Sequence, residues 1–186
     1  MAQVFSNGVR YIVEGGHRLS GEIEPAGNKN AALPIIAAAL LTDQKVTLTN
    51  VPRIRDVEAL VELIRTLGAL AEWTGVNTLE IEAKKVRPAA LDPELCARIR
   101  ASILLAGPLL ARAGKVTLPP PGGDVIGRRR VDTHFLALQQ MGARVTVGQN
   151  YDFRAPRLKG ADVFLDEPSV TGTENALMAA TAAQGT

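Results

Sequence analysis

Between Leu118 and His134 the chain reads Leu-Pro-Pro-Pro-Gly-Gly-Asp-Val-Ile-Gly-Arg-Arg-Arg-Val-Asp-Thr-His, a stretch whose side chains suit chemistry on an anion. Three consecutive prolines, the Gly122-Gly123 pair and Gly127 forbid a helix or a central strand, so this is a loop of imposed shape with Asp124 at its tip. Arg128, Arg129 and Arg130 follow, and Asp132 and His134 stand where an apolar helical period resumes. Guanidinium groups beside a helix start suit a negatively charged, above all a phosphorylated, ligand. Taken alone, the same residues fit a solvated surface loop with a basic patch. The rest of the chain decides between the two.

The elements that must position this loop repeat along the sequence. Asn28 or Asn30 can cap a helix over Ala31–Leu41 that is apolar almost all round and therefore belongs in an interior. A strand, Lys45–Leu48, follows. Val57, Leu60, Val61, Ile64 and Leu67 then recur at helical spacing up to Gly68, and Ala69–Thr74 with Thr78–Glu82 reads as a hairpin. The same order returns: an apolar helix over Arg100–Arg112, the strand Lys115-Val116-Thr117-Leu118 matching Lys45-Val46-Thr47-Leu48, a helix over Val131–Met141, and a hairpin over Arg144–Ala155. A third unit starts near Asp162, with Ser169–Glu174 leading to a helix over Asn175–Ala183, and stops at Thr186. Since repeats share their core with neighbours, a unit that stops halfway predicts a truncated chain. Before the first unit, Val4 and Tyr11–Val13 predict a short strand, and loose alternation over Leu19–Pro25 predicts another.

Composition excludes several classes. With 186 residues, 46% hydrophobic and 22% charged, the chain can bury one substantial core. A net charge of +2 with clustered arginines argues against a nucleic-acid binder. Cys96, the only cysteine, excludes an internal disulfide, fits a reducing compartment, and by its apolar neighbours reads as inert core packing. Cys96, His17 and His134 do not assemble a metal cluster by spacing. The apolar run at Ala31–Leu41 is too short to span a bilayer and the N-terminus lacks a signal pattern, so a cytoplasmic location without membrane contact is expected.

Four stretches in order resemble the UDP-N-acetylglucosamine enolpyruvyl transferase (1-carboxyvinyltransferase) family. They are Gly27-Asn28-Lys29-Asn30-Ala31-Ala32-Leu33-Pro34, Arg100-Ala101-Ser102-Ile103, the Pro-Gly-Gly-Asp-Val-Ile-Gly loop with Arg-Arg-Arg-Val-Asp-Thr-His, and Ser-Val-Thr-Gly-Thr-Glu-Asn. The resemblance spans essentially the whole chain. It implies an α/β fold, the inside-out α/β barrel of the enolpyruvyl transferases, with βαβαββ-like repeats around buried helices. Residues 1–20 would pack with an absent second domain, and 21–186 would be an incomplete first domain with units at about 21–90, 91–160 and 161–186. The implied activity moves the enolpyruvyl group of phosphoenolpyruvate onto the 3-hydroxyl of UDP-N-acetylglucosamine and releases phosphate, opening peptidoglycan synthesis. No metal or organic cofactor is implied, and the isolated chain is expected to be inactive without its second domain.

By resemblance, Lys29 contacts phosphoenolpyruvate and serves catalysis, while Asn30 and Arg100 belong to the substrate site. Arg129, Arg130, Val131, Asp132 and Thr133 match a segment that holds the uracil nucleotide, and Ser169, Val170 and Thr171 match a second uridine-contacting stretch. Arg130 stands where the family usually has proline, and Thr171 where it often has glycine. His134 matches a histidine lining the site, although a polar residue at a helix start would read the same way. Asp124 stands where most members carry the proton-donating cysteine that fosfomycin alkylates. An aspartate can serve near neutral pH only if its pKa rises roughly 2 units or more from about 3.9, and bound phosphoenolpyruvate would supply the required negative charge. Fosfomycin insensitivity follows. Two alternatives stay open: the shikimate-pathway enolpyruvyl transferase, and a non-catalytic fragment that binds a nucleotide sugar.

Overall fold

The computed structural model describes residues 2–6, 9–88, 91–123 and 130–186, with side chains described from Ile12 onward; Asp124 and Arg129 therefore lie outside the described residues. Strands β1 (Ala2–Ser6) and β2 (Val9–Val13) pair as an antiparallel hairpin, with Ala2 opposite Val13. The strand expected over Leu19–Pro25 does not form. Gly21, inside the run, takes φ of 139°, which interrupts extended backbone there, and Leu19 and Ile23 are each 93% exposed, so no apolar face is buried.

Helix α1 (Lys29–Ala38) starts two residues before the expected position because Asn28 is the cap, its Oδ1 accepting the Ala31 N–H at 3.1 Å. A 3₁₀ turn at Ala39–Leu41 ends it and leads to β3 (Lys45–Leu48). Helix α2 (Arg55–Thr66) turns Val57, Leu60, Val61 and Ile64 inward, and β4 (Leu70–Trp73) and β5 (Leu79–Glu82) follow. A short helix that periodicity did not reveal, α3 (Pro93–Arg98), is fixed by Asp92, which accepts from the N–H groups of Glu94 and Leu95, and by Pro93 at its first position. The single helix expected over Arg100–Arg112 is a 3₁₀ segment, Arg100–Leu105, followed by α4 (Ala106–Ala113). Pro108 explains the break: it has no N–H to donate and is tolerated in the first turn of a new α-helix. Then come β6 (Lys115–Leu118), α5 (Asp132–Gln140), β7 (Arg144–Val147), β8 (Tyr151–Arg154) and α6 (Val170–Ala180). Helix α6 starts earlier than its apolar period implied because Ser169 Oγ caps it, accepting from Gly172 N–H at 3.0 Å.

Two three-stranded antiparallel sheets share one topology, β3-β5-β4 and β6-β8-β7, so Lys45–Leu48 and Lys115–Leu118 hold equivalent edge positions. The strands remain separate open sheets, not a closed barrel, because each sheet ends in edge strands that pair on one side only. The arrangement is inside-out. Helix α4 packs against α6, against the Ala39–Leu41 turn and against strands β6 and β8, while α5 lays Phe135 edge-on to Tyr151 and Phe153 at 4.9 and 5.5 Å. Arg112 at the end of α4 ties the two halves together, donating to the carbonyls of Leu40, Thr42 and Ala83 at 2.7–3.0 Å, carbonyls that helix and strand ends leave unpaired.

The Pro-Gly-Gly stretch is anchored to the end of α3. Gly122 N–H donates to the Cys96 carbonyl at 3.1 Å and Gly123 N–H to the Ala97 carbonyl at 3.2 Å. A Cβ on Gly122 would fall on the Ala97 carbonyl, and Gly123 holds φ at 93°. Cys96 itself is fully buried, and burial pushes its thiol up to about 11, so it packs and does not react. Gly122→Ala should therefore lift the loop off α3 and destabilise the chain by about 1–3 kcal/mol. Urea denaturation checks this, and wild-type stability in the variant would refute the anchoring.

Candidate functional site

A cavity of about 870 Å³ opens where several helix starts meet, lined by Lys29 and Asn30 of α1, Asp56 of α2, Arg100 and Ala101 of the 3₁₀ segment, Asp132 of α5, and Ser169, Val170 and Thr171 at the cap of α6. The first N–H groups of a helix have no intrahelical acceptor and carry partial positive charge. In α6, the Gly172 N–H goes to Ser169 Oγ and the Thr173 N–H to the Ser169 carbonyl, which leaves those of Val170 and Thr171 at the cavity. In α1, Pro34 supplies no N–H for the Asn30 carbonyl four residues earlier, and both residues line the cavity. The backbone therefore presents donors and at least one acceptor at the cavity.

The side chains are held by neighbours. Lys29 Nζ lies 2.9 Å from Asp56 Oδ2, an exposed pair of the kind an incoming anion can outcompete. Arg100 donates from Nη2 to the Arg130 carbonyl at 2.6 Å. Arg130 faces Asp132 at 2.8 Å, Asp166 at 2.6 Å and Glu167 at 3.6 Å. Its hydrogen bonds to Asp132 and Asp166 raise its pKa further above the usual guanidinium range, and the same bond from Arg130 lowers that of Asp132. Arg130 thus straps the start of α5 to the segment before α6. Across the described lining, Lys29, Arg98, Arg100 and Arg130 meet Asp56, Asp132, Glu167 and Glu174, so formal side-chain charge balances and the helix starts supply the remaining polarity.

Of the residues singled out from the sequence, the cavity gathers Lys29, Asn30, Arg100, Arg130, Asp132, Ser169, Val170 and Thr171. Val131 packs against the core, and Thr133 is buried with its hydroxyl 3.4 Å from Glu167, so neither lines the cavity. Gly123 and Arg130, the described residues that bracket Asp124 and Arg129 in the chain, both line it. Sequence reasoning missed Asp56, Glu167 and Glu174. The acidic first turn of α2 was legible, but an acid at a helix start serves the dipole as readily as it serves a site. Among the described residues no group of three or more His, Cys, Asp and Glu could hold a metal ion, and no helix is long and apolar enough to cross a membrane.

His134 lies behind the wall, 1% exposed, between Asn175 and Thr171. Burial, helped by the charge of Arg100, pushes it down to about 4. Above pH 6.5 both folded and unfolded chains hold it neutral; as pH falls from about 6.5 to about 4 only the unfolded chain takes up the proton, so stability is lost over that window. Urea denaturation from pH 7.5 to 4 should show a loss on the order of 3 kcal/mol that His134→Gln largely removes. An unchanged slope in the variant would contradict a neutral buried His134.

A family model described as EPSP synthase (3-phosphoshikimate 1-carboxyvinyltransferase) matches residues 13–186. The UDP-N-acetylglucosamine 1-carboxyvinyltransferase of Bradyrhizobium diazoefficiens is 76% identical over 177 residues, covering 95% of this chain and 41% of its own length. That of Treponema denticola is 54% identical over 176 residues, with 95% and 41% coverage. The chain thus spans about two fifths of the length of these curated relatives. Among solved structures, the enolpyruvyl transferase NikO from Streptomyces tendae aligns with a TM-score of 0.74 at 25% identity, over 92% of this chain and 40% of its own. EPSP synthase from Acinetobacter baumannii aligns with a TM-score of 0.70 at 21% identity, over 89% and 39%. Both are inside-out α/β enolpyruvyl transferases, and this fold is shared.

Proposed function

The chain belongs to the EPSP synthase (3-phosphoshikimate 1-carboxyvinyltransferase) family, and from that premise we propose that it forms part of an enzyme transferring the enolpyruvyl group of phosphoenolpyruvate to the 3-hydroxyl of UDP-N-acetylglucosamine. The hydroxyl gives up its proton to a base as its oxygen bonds to C2 of phosphoenolpyruvate, and C3 takes a proton from an acid. Loss of a proton from C3 then expels phosphate and leaves the enol ether. Supporting the nucleotide sugar as acceptor is the 76% identity to a relative named for it. The observation that carries the reading is that Lys29, Asn30, Arg100 and Ser169–Thr171, distant in sequence, line one cavity at the starts of helices.

In this reading the helix-start N–H groups with Arg100 hold phosphoryl oxygens, Lys29 leaves Asp56 for the carboxylate or phosphate of phosphoenolpyruvate, and Arg129 and Asp132 serve the nucleotide. Arg130 contributes by fixing the wall, and Val131 and Thr133 by packing behind it. The setting is a soluble, cytoplasmic step of cell-wall synthesis. The shikimate reading draws on the family description and the Acinetobacter neighbour. Calorimetric titration separates the two: UDP-N-acetylglucosamine should bind this chain and shikimate 3-phosphate should not, and the reverse order would overturn the assignment.

Asp124 is assigned the proton donor by its place in the Gly-Gly-Asp sequence. In an enzyme carrying these residues together with the remaining length its relatives possess, Asp124→Asn should cost roughly 100-fold or more in turnover, the usual scale of general acid catalysis. A carboxylate is a poorer nucleophile than a thiolate, so the Asp124 form should resist fosfomycin and Asp124→Cys should be inactivated with time. Full turnover in Asp124→Asn would remove the assignment. Assaying phosphate release by an enzyme of its relatives' full length that carries these residues addresses the non-catalytic reading, under which neither substrate is consumed.

A further inference from the structure

Asn175 is fully buried in α6, and two backbone groups fix which way its amide points. Its Oδ1 accepts from the Gly107 N–H at 2.6 Å and its Nδ2 donates to the Ile103 carbonyl at 2.8 Å. A flipped amide would set NH₂ against N–H and oxygen against oxygen, so the orientation is determined. The second Nδ2 hydrogen points to His134 Nδ1, 3.0 Å away. An amide nitrogen can only donate, so that ring nitrogen must be bare and the ring proton must sit on Nε2. Nε2 lies 3.2 Å from Thr171 Oγ1. With the ring donating into it, the Thr171 hydroxyl cannot spend its own hydrogen on His134. The same residue lines the cavity.

We propose that His134, locked by Asn175 as the Nε2–H tautomer, is a positioning residue that turns the Thr171 hydroxyl proton into the cavity, making Thr171 a donor to an acceptor oxygen of the ligand. This rests on the reading that the cavity holds a ligand, and narrows it: the ligand presents a carbonyl or phosphoryl oxygen at the start of α6. Gly107 supports the device, since a Cβ there would press on the Asn175 carbonyl and on Oδ1.

The first test needs no ligand. Long-range ¹H–¹⁵N spectra of the folded chain at pH 7 should show His134 with a bare Nδ1 and a protonated Nε2; a protonated Nδ1 overturns the inference. Asn175→Asp replaces the donor by an acceptor and should move the ring proton to Nδ1 or charge the ring, whereas an unchanged tautomer in a folded variant also overturns it. The second test titrates the chain with UDP-N-acetylglucosamine and with uridine. Thr171→Val should weaken binding about 5- to 10-fold and Thr171→Ser should keep it. A loss with both probes assigns the oxygen to the nucleoside, and a loss with the sugar nucleotide alone assigns it to the diphosphate or the N-acetyl sugar. Equal binding by wild type and Thr171→Val defeats the inference while leaving the cavity's function intact. Failure of wild type to bind either probe defeats the function proposed above, and the tautomer then decides this inference by itself.

Discussion

Helices that are apolar nearly all round must be buried against one another, and a buried helix shows the rest of the molecule only its ends. In this chain that constraint sets everything else. Helix α4 is buried along most of its length, α1 and α6 each bury one face while Ile35 and Leu177 stay exposed, and several helix starts meet at one cavity. Interior backbone groups at the breaks between helical segments must still be satisfied. Asn175 does this for Gly107 and Ile103, and Arg112 for the carbonyls at the far end. Polar side chains placed inside the helical layer are what allow the helix ends to gather.

The same packing explains the electrostatics. Four cations and four carboxylates line the described part of the cavity, so side-chain charge nearly cancels and the directed N–H groups of the helix starts give it polarity. Lys29 is steadied by Asp56, and Arg130 is committed to three carboxylates. These pairs tie α1 to α2 and the start of α5 to the segment before α6. His134 adds a proton-bearing contact from behind the wall, and it does so neutral because burial disfavours its charged form.

Much of this was legible in the sequence. The Lys-Val-Thr-Leu strands, both hairpins and the α2 and α5 helices followed from pattern, most plainly α2, which buries Val57, Leu60, Val61 and Ile64 on one face. Periodicity failed where burial is uniform or where a single residue rules. Pro108 divided the second apolar helix, Asp92 and Pro93 created α3, and Gly21 at positive φ interrupted the run over Leu19–Pro25. Motifs singled out Lys29, Asn30, Arg100 and Ser169–Thr171, which line one cavity, and also Val131 and Thr133, which pack behind it, a distinction that depends on tertiary packing. Asp56 and Glu167 were invisible because their place at the cavity depends on how distant segments pack.

Separate helix starts that act together on one anionic ligand must respond to it together, which backbone amide shifts reveal when the chain is titrated with UDP-N-acetylglucosamine. The amides of Lys29, Asn30, Ala101, Val170 and Thr171 should move along one saturating curve with a single dissociation constant. Shifts confined to one of these segments, or centred on residues away from the cavity, would contradict their joint action.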